Sequence, residues 1–174
     1  MHLFAIFLLV GRRRSGKSVN MFSLLKNYRD VWAWGLCFCP SQSTLKEYHT
    51  CIPPHFCYEG LNLDLIQNLI DYQNARVKAG TVKPVFLVLD DCAFESKKFR
   101  SREMKYLFFN SRHLHITLLI SIQDALVLTP ALRANVDYVL CCREKAIAYR
   151  QRLYDAYSIC FKNFKMFDKV FRAL

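Results

Sequence analysis

Gly11-Arg12-Arg13-Arg14-Ser15-Gly16-Lys17-Ser18, entered from the apolar run Leu3 to Val10, is the stretch that decides the fold. It has the form G-x-x-x-x-G-K-[ST], the phosphate-binding P-loop. Its glycines let the backbone turn tightly and aim successive N–H groups at a β-phosphate. Lys17 then reaches the β- and γ-phosphates as a point charge, and the Ser18 hydroxyl helps hold Mg²⁺. The N-terminus of the following helix favours the anion. Gly11, Ser15, Gly16, Lys17, Ser18 and Val19 are the expected nucleotide contacts, with ATP and Mg²⁺ as the ligands. The tetrapeptide between the glycines is unconstrained, so the pattern draws its weight from context: a buried-strand pattern enters the loop and a helical one leaves it.

Farther along, Val85 to Leu89 is a second apolar run, and it ends in Asp90-Asp91. A buried strand that delivers acids at its C-terminal edge is the Walker B pattern. Asp90 is placed to bind Mg²⁺ through water, and Asp91 to orient or deprotonate the attacking water. Two adjacent acids also suit an ordinary turn, where Asp is common. Ile116 to Ile122 is a further buried run, ending at Gln123. An amide at that tip is a candidate sensor of the γ-phosphate or the lytic water; the plainer alternative is a strand-ending Gln.

The remaining segments fit around these three. Leu3 to Val10 reads as a central parallel strand. Ser18 to about Tyr28 reads as a helix, with Met21, Leu24 and Leu25 on one face. Val31 to Phe38 is a strand that stops at Pro40-Ser41, and after Pro53-Pro54 a short edge strand is expected at His55 to Tyr58. Leu61 to about Ala79 is a periodic helix closed by Gly80. Ser101 to Asn110 suits a helix, Leu126 to Asn135 a short helix broken at Pro130, and Tyr138 to Cys142 a last core strand. Ala146 to Leu174 reads as a basic helical tail bearing Tyr149, Tyr154, Tyr157, Phe161, Phe164, Phe167 and Phe171. Such a stripe suits a core or oligomer contact, or a nucleic-acid platform.

Alternating strands and helices with the P-loop after the first strand imply a three-layer α/β sandwich with a mostly parallel sheet. A whole strand lies between the P-loop strand and the acid-tipped strand, which points to the ATPase branch (ASCE/RecA-like order) and away from nucleotide kinases and GTPases. Residues 1–145 form the expected ATPase core and residues 146–174 the tail.

The 174 residues are most simply one compact unit, and 53% hydrophobic residues argue against disorder. Lys+Arg of 25 against Asp+Glu of 14 leaves +11, which favours polyanionic partners, nucleic acid first. Eight cysteines sit largely in apolar, strand-like runs and behave there as small hydrophobes, the usage of a reducing compartment. The N-terminal apolar run is too short to span a membrane and is followed, not preceded, by its arginines.

The block Asn110-Ser111-Arg112-His113-Leu114-His115-Ile116-Thr117 through Ser121-Ile122-Gln123 carries a resemblance, together with Leu128-Thr129-Pro130 and Leu132-Arg133-Ala134-Asn135-Val136-Asp137. It resembles the FtsK/HerA class of DNA-pumping ATPases. Within that class it is most similar to the genome-packaging ATPases of large nucleocytoplasmic DNA viruses and their virophage relatives. The Leu89-Asp90-Asp91-Cys92 turn, Pro40-Ser41, and the span from Pro53-Pro54 through Phe56 to Leu65-Ile66 and Gln73 fit the same group. The likeness runs from about Phe4 to Glu144.

The resemblance implies a ring-forming, ATP-driven translocase of double-stranded DNA that engages capsid or portal proteins, in the host cytoplasm or the virion. It implies that Lys17 and Ser18 bind phosphate and Mg²⁺, Asp90 holds the metal, Asp91 is the catalytic acid and Gln123 the sensor. Arg112 falls where the class places an arginine that reaches a neighbour's nucleotide, with Arg133 in reserve. The chain departs from its class in having Asp91 where Glu is frequent, and in crowding the P-loop with Arg12, Arg13 and Arg14. Two other functions fit parts of the sequence: a small P-loop nucleoside or nucleotide kinase, and a zinc-stabilised nucleic-acid-binding module built on His49, Cys51, His55 and Cys57.

Overall fold

The computed structural model describes residues 4–158 and 160–173; Leu3 of the expected first strand, and Ile159 and Leu174 of the expected tail, fall outside them. Six strands form one sheet: β1 (Ile6–Val10), β2 (Trp34–Cys39), β3 (Cys57–Glu59), β4 (Val85–Asp90), β5 (Ile116–Ile122) and β6 (Tyr138–Cys141). Their spatial order is β3-β2-β4-β5-β1-β6, and every pairing is parallel. The helices are α1 (Lys17–Asn27), α2 (Gln42–Tyr48), α3 (Leu63–Lys78), α4 (Ser96–Phe99), α5 (Arg102–Asn110), α6 (Pro130–Arg133), α7 (Ile147–Tyr157) and α8 (Phe164–Ala173). Among the described residues no helix is long and apolar enough to cross a membrane.

The continuous apolar runs become strands buried on both faces, because alternate side chains of a covered parallel sheet enter two different cores. Ile6, Leu8 and Val10 join one core with Ile66, Leu69 and Ile70 of α3, Met104, Leu107 and Phe108 of α5, and Tyr149, Leu153 and Phe167 of the C-terminal helices. Phe7 and Leu9 join the other, with Met21 and Leu25 of α1 and Leu45 and Tyr48 of α2. The result is the expected three-layer sandwich.

Helix ends follow local chemistry. Asn62 caps α3 by accepting from Leu65 N, Ser101 caps α5 by accepting from Met104 N, and Gly80 follows α3 in the left-handed region at φ 66°.

Several expectations are corrected. The strand that separates the P-loop strand from the acid-tipped strand in space is β5, which carries Gln123, whereas β2 lies on the far side of β4. Pro130 does not break a helix: it opens α6 at its first turn, where its missing N–H costs nothing. The last strand, β6, is a half-buried edge strand and not a core one. The tail is two helices joined by a turn; Tyr149 and Phe167 are buried in the core, with Tyr154, Tyr157, Phe161, Phe164 and Phe171 packed against it. Pro54–Phe56 is a 3₁₀ turn, so the edge strand begins only at Cys57. A further helix, α2, lies where none is expected from the sequence; its seven residues follow Ser41, which accepts from Thr44 N at 3.3 Å.

Candidate functional site

All six strands run the same way, so every loop that leaves a C-terminal strand end gathers on one side of the sheet. Register then sets the neighbours. Val10 lies level with Ile122 and Cys141, and Asp90 with Ser121. Gly11 N–H donates to Ile122 O at 3.2 Å, so the P-loop starts beside the residue that precedes Gln123.

The P-loop is built by close packing as much as by its turns. A Cβ at Gly11 would come within 2.4 Å of Ser15 Oγ and 2.7 Å of Cys142 Cβ, so the position has no room for a side chain. Gly16 adopts φ 95°, open to glycine without strain. Lys17, the first residue of α1, is buried; its ammonium donates to Gly11 O at 2.8 Å and Arg12 O at 3.2 Å, and stands 3.9 Å from Asp91 Oδ1. Ser15 Oγ is buried without a hydrogen-bond partner among the described residues. Val19 is 72% exposed and lies outside the lining of the cleft.

A cleft of about 550 Å³ opens over this loop, lined by Arg13, Ser18, Ser41, Asp90, Asp91 and Gln123 among others. At its floor Asp90 is buried and fully engaged: Tyr48 OH donates to Oδ2 at 2.9 Å and Ser121 Oγ donates to Oδ1. Burial pushes the Asp90 carboxyl above its ordinary range, while the Ser121 and Tyr48 hydroxyls pull it back. Asp91 stands half-buried beside it. Its backbone is left-handed (φ 53°, ψ 23°), its N–H donates to Ser121 Oγ at 3.0 Å, and its Oδ2 accepts from Gln123 Nε2 at 2.9 Å. The Ser121 hydroxyl thus ties the two acids into one unit. Cys39 also faces the cleft, but burial pushes its thiol up to about 12, which keeps it neutral and poorly nucleophilic.

Lys17, Ser18, Asp90, Asp91 and Gln123 are therefore brought together. Arg112 is not. It precedes β5, at the N-terminal end of the sheet, where it forms an ion pair with Asp137, whose other oxygen accepts from Ile6 N at 2.9 Å. Seven residues of strand, about 23 Å, separate that end from Gln123. Arg133 is held in the fold, donating to Leu128 O at 3.0 Å and lying over the Tyr157 ring, and does not line the cleft. Arg12 is drawn sideways, with Nε 3.0 Å from Glu144 and its guanidinium over Tyr149.

Neither Tyr48 nor Ser121 is expected at the site from the sequence, and Arg13 is marked there only as one of three arginines crowding the P-loop. Ser121 had a signal, a polar residue in an otherwise apolar strand; Tyr48 had none, since it reaches Asp90 from a helix forty-two positions away. No group of three or more His, Cys, Asp or Glu converges to hold a metal among the described residues, so His49, Cys51, His55 and Cys57 do not assemble a zinc site.

Solved structures share this architecture. The genome packaging NTPase B204 from Sulfolobus turreted icosahedral virus 2, solved in complex with ATP-gammaS, superposes with a TM-score of 0.67 at 17% identity, covering 98% of this chain and 87% of that one. The cytoplasmic domain of EssC superposes with a TM-score of 0.64 at 15% identity, covering 88% of this chain and 34% of that one. These likenesses concern the fold.

In sequence, uncharacterized protein 088R of Invertebrate iridescent virus 3 is 30% identical over 162 residues, 93% of this chain and 62% of that protein. Uncharacterized protein 015R of Frog virus 3 (isolate Goorha) is 30% identical over 148 residues, 84% of this chain and 46% of that protein. The chain thus spans about half to three-fifths of the length of these relatives. The model of the Poxvirus A32 protein family matches residues 2–166, nearly the whole chain, and the protein belongs to that family.

Proposed function

We propose that the chain is an ATPase that drives double-stranded DNA during viral genome packaging. The observation that carries this is Asp91, held between the Gln123 amide and the Lys17 ammonium at the mouth of the P-loop cleft. A half-exposed carboxylate beside a phosphate-binding lysine is placed to take a proton from water, and a water nucleophile distinguishes hydrolysis from transfer to a second substrate. Family membership and the fold shared with B204, a genome packaging NTPase, support the same reading.

Each residue has a part in it. Lys17 and the P-loop backbone bind the phosphates, Gln123 holds Asp91 and the water in line, and Asp91 accepts the proton. Ser18 and Asp90 both line the cleft and offer oxygen ligands, a set that would suit a hard cation. Mg²⁺ held there supplies neutralisation of β- and γ-phosphate charge. Tyr48 and Ser121 fix the Asp90 carboxylate in the orientation that this requires. Arg112, at the opposite end of the sheet, serves only a neighbouring subunit's site, in a ring where the Asp137 pair opens.

The net charge of +11, with Lys97, Arg100, Arg102 and Lys105 exposed just beyond the acid pair, supports contact with DNA phosphates. Residues 146–174 act as a covering segment of the 1–145 core, and capsid or portal proteins in the host cytoplasm or virion are the further partners.

The test is ATP hydrolysis with and without double-stranded DNA across a salt series, alongside the mass of the oligomer. Stimulation that fades steeply with salt is expected; absence of turnover in wild type, or full turnover in Asp91→Asn, overturns the reading.

A further inference from the structure

The three P-loop arginines have different fates. Arg12 is committed to Glu144 and Tyr149. Arg14, at φ 60°, borders a separate hollow with Arg143 and Lys145. Arg13 stands on the ridge between that hollow and the catalytic cleft, and it is the arginine that lines the cleft with Ser18, Asp90, Asp91 and Gln123. It is exposed and makes no ion pair or hydrogen bond among the described residues. On the hollow side stand Arg14, Arg143 and Lys145 together with the Arg12–Glu144 ion pair; on the cleft side stand the carboxylates of Asp90 and Asp91. The acids on the cleft side and the surplus of positive charge on the other favour a guanidinium turned toward the cleft.

We propose that Arg13 is a catalytic residue that acts in cis, donating to the γ-phosphate of the nucleotide bound by its own P-loop. The proposal rests on the ATPase reading and adds to it a source of transition-state charge within the subunit, besides the one Arg112 would offer a neighbour. The water oxygen forms a bond to γ-phosphorus as the bond from γ-phosphorus to the β–γ bridging oxygen breaks. The water proton passes to Asp91 and then to solvent, and ADP leaves with the electron pair. Negative charge is redistributed over the bridging and γ-phosphate oxygens, where a planar guanidinium with forked donors stabilises it better than it stabilises the ground state. The other candidate arginines are placed elsewhere: Arg133 is held on Leu128 O, and Arg112 lies at the far end of the sheet.

The experiment compares wild type, Arg13→Ala and Arg13→Lys, with Arg29→Ala as a control for loss of one exposed positive charge. Calorimetry measures the affinity of each for ADP and for ADP with aluminium fluoride, both with Mg²⁺; steady-state kinetics without DNA give kcat and KM. Arg13→Ala is expected to bind ADP within about threefold of wild type. It should lose about 100-fold in affinity for the aluminium fluoride complex and a similar factor in kcat, with KM little changed. Arg13→Lys should fall between, and Arg29→Ala should match wild type.

Equal losses for ADP and the aluminium fluoride complex would reduce Arg13 to an attractor of anions and overturn the proposal, as would an unaffected Arg13→Ala. Mixing Arg13→Ala with Asp91→Asn subunits supplies the cis test: restored hydrolysis means that the arginine acts on a neighbour and overturns the proposal, and no restoration supports it. If wild type neither hydrolyses ATP nor binds the aluminium fluoride complex, the ATPase reading falls and this inference with it. Wild-type turnover with full activity in Arg13→Ala removes this inference alone.

Discussion

Tyr48, wholly buried on α2, donates its hydroxyl to Asp90 Oδ2 at 2.9 Å, joining a helix on one face of the sheet to the acid at its C-terminal edge. A hydroxyl donated to a carboxylate favours the ionised form, so the Tyr48 bond holds the Asp90 pKa down against its burial. Tyr48→Phe is expected to raise that pKa further. The acid limb of the pH profile of ATP hydrolysis should then move to higher pH, and more Mg²⁺ should be needed for half-maximal rate. Loss of a hydrogen bond to a charged group should cost about 2 kcal/mol of folding stability, read from denaturant melts.

Asp90 itself should set stability against activity. Its folded-state pKa is raised, so the stability it contributes is complete below the unfolded value and is lost as pH rises through the folded value. Asp90→Asn imitates the protonated acid and should raise the melting temperature at pH 7 by about 2–4 °C. The advantage should shrink as pH falls into the carboxylate range. Mg²⁺-dependent turnover should vanish.

Gly11 and Gly16 should fail for different reasons. Gly11→Ala drives a methyl group into Ser15 Oγ and Cys142 Cβ, so the loop must rearrange and nucleotide affinity should fall by more than about tenfold. Gly16→Ala meets no atom within 4 Å, but its φ of 95° is strained for any L side chain. Its main cost should be about 1–2 kcal/mol of stability. Binding of a fluorescent ATP analogue and thermal melts separate the two.

A buried ion pair links the two C-terminal helices, which also pack on the core through Tyr149, Leu153 and Phe167. Arg150 Nε lies 2.5 Å from Asp168 Oδ1, both residues buried, and Arg150 Nη1 also donates to Glu144 O at 3.2 Å. Asp168→Ala strands a buried guanidinium and should cost about 3–5 kcal/mol. Adding Arg150→Met removes the stranded charge and should recover part of the loss. Chemical denaturation of the four members of this cycle measures the coupling.

The strands were legible because a parallel sheet covered on both faces demands unbroken apolar runs, as in Ile116 to Ile122, whose expected bounds match β5. The meeting of Lys17, Asp90 and Gln123 was legible for the same reason, since parallel strands collect their C-terminal tips. What escaped depends on which side chains meet across space. The Tyr48 bond to Asp90, the pairing of Arg112 with Asp137 and the sideways pull of Glu144 on Arg12 leave no periodic mark on the chain. Pro130 misled because the same missing N–H that breaks a helix interior suits a first turn.

Asp91, described above at φ 53° and ψ 23°, also accounts for one departure of this chain from the class that its sequence resembles, the Asp where Glu is frequent. Left-handed backbone is uncommon for residues with a Cβ, and Asp is among the few that occupy it with any frequency, because its short polar side chain bonds locally. Here that side chain takes the Gln123 amide, and its own N–H takes Ser121 Oγ. The turn that brings the acid to the mouth of the cleft thus selects which acid stands there: one methylene fewer in reach, in exchange for a backbone angle that the longer residue adopts less readily.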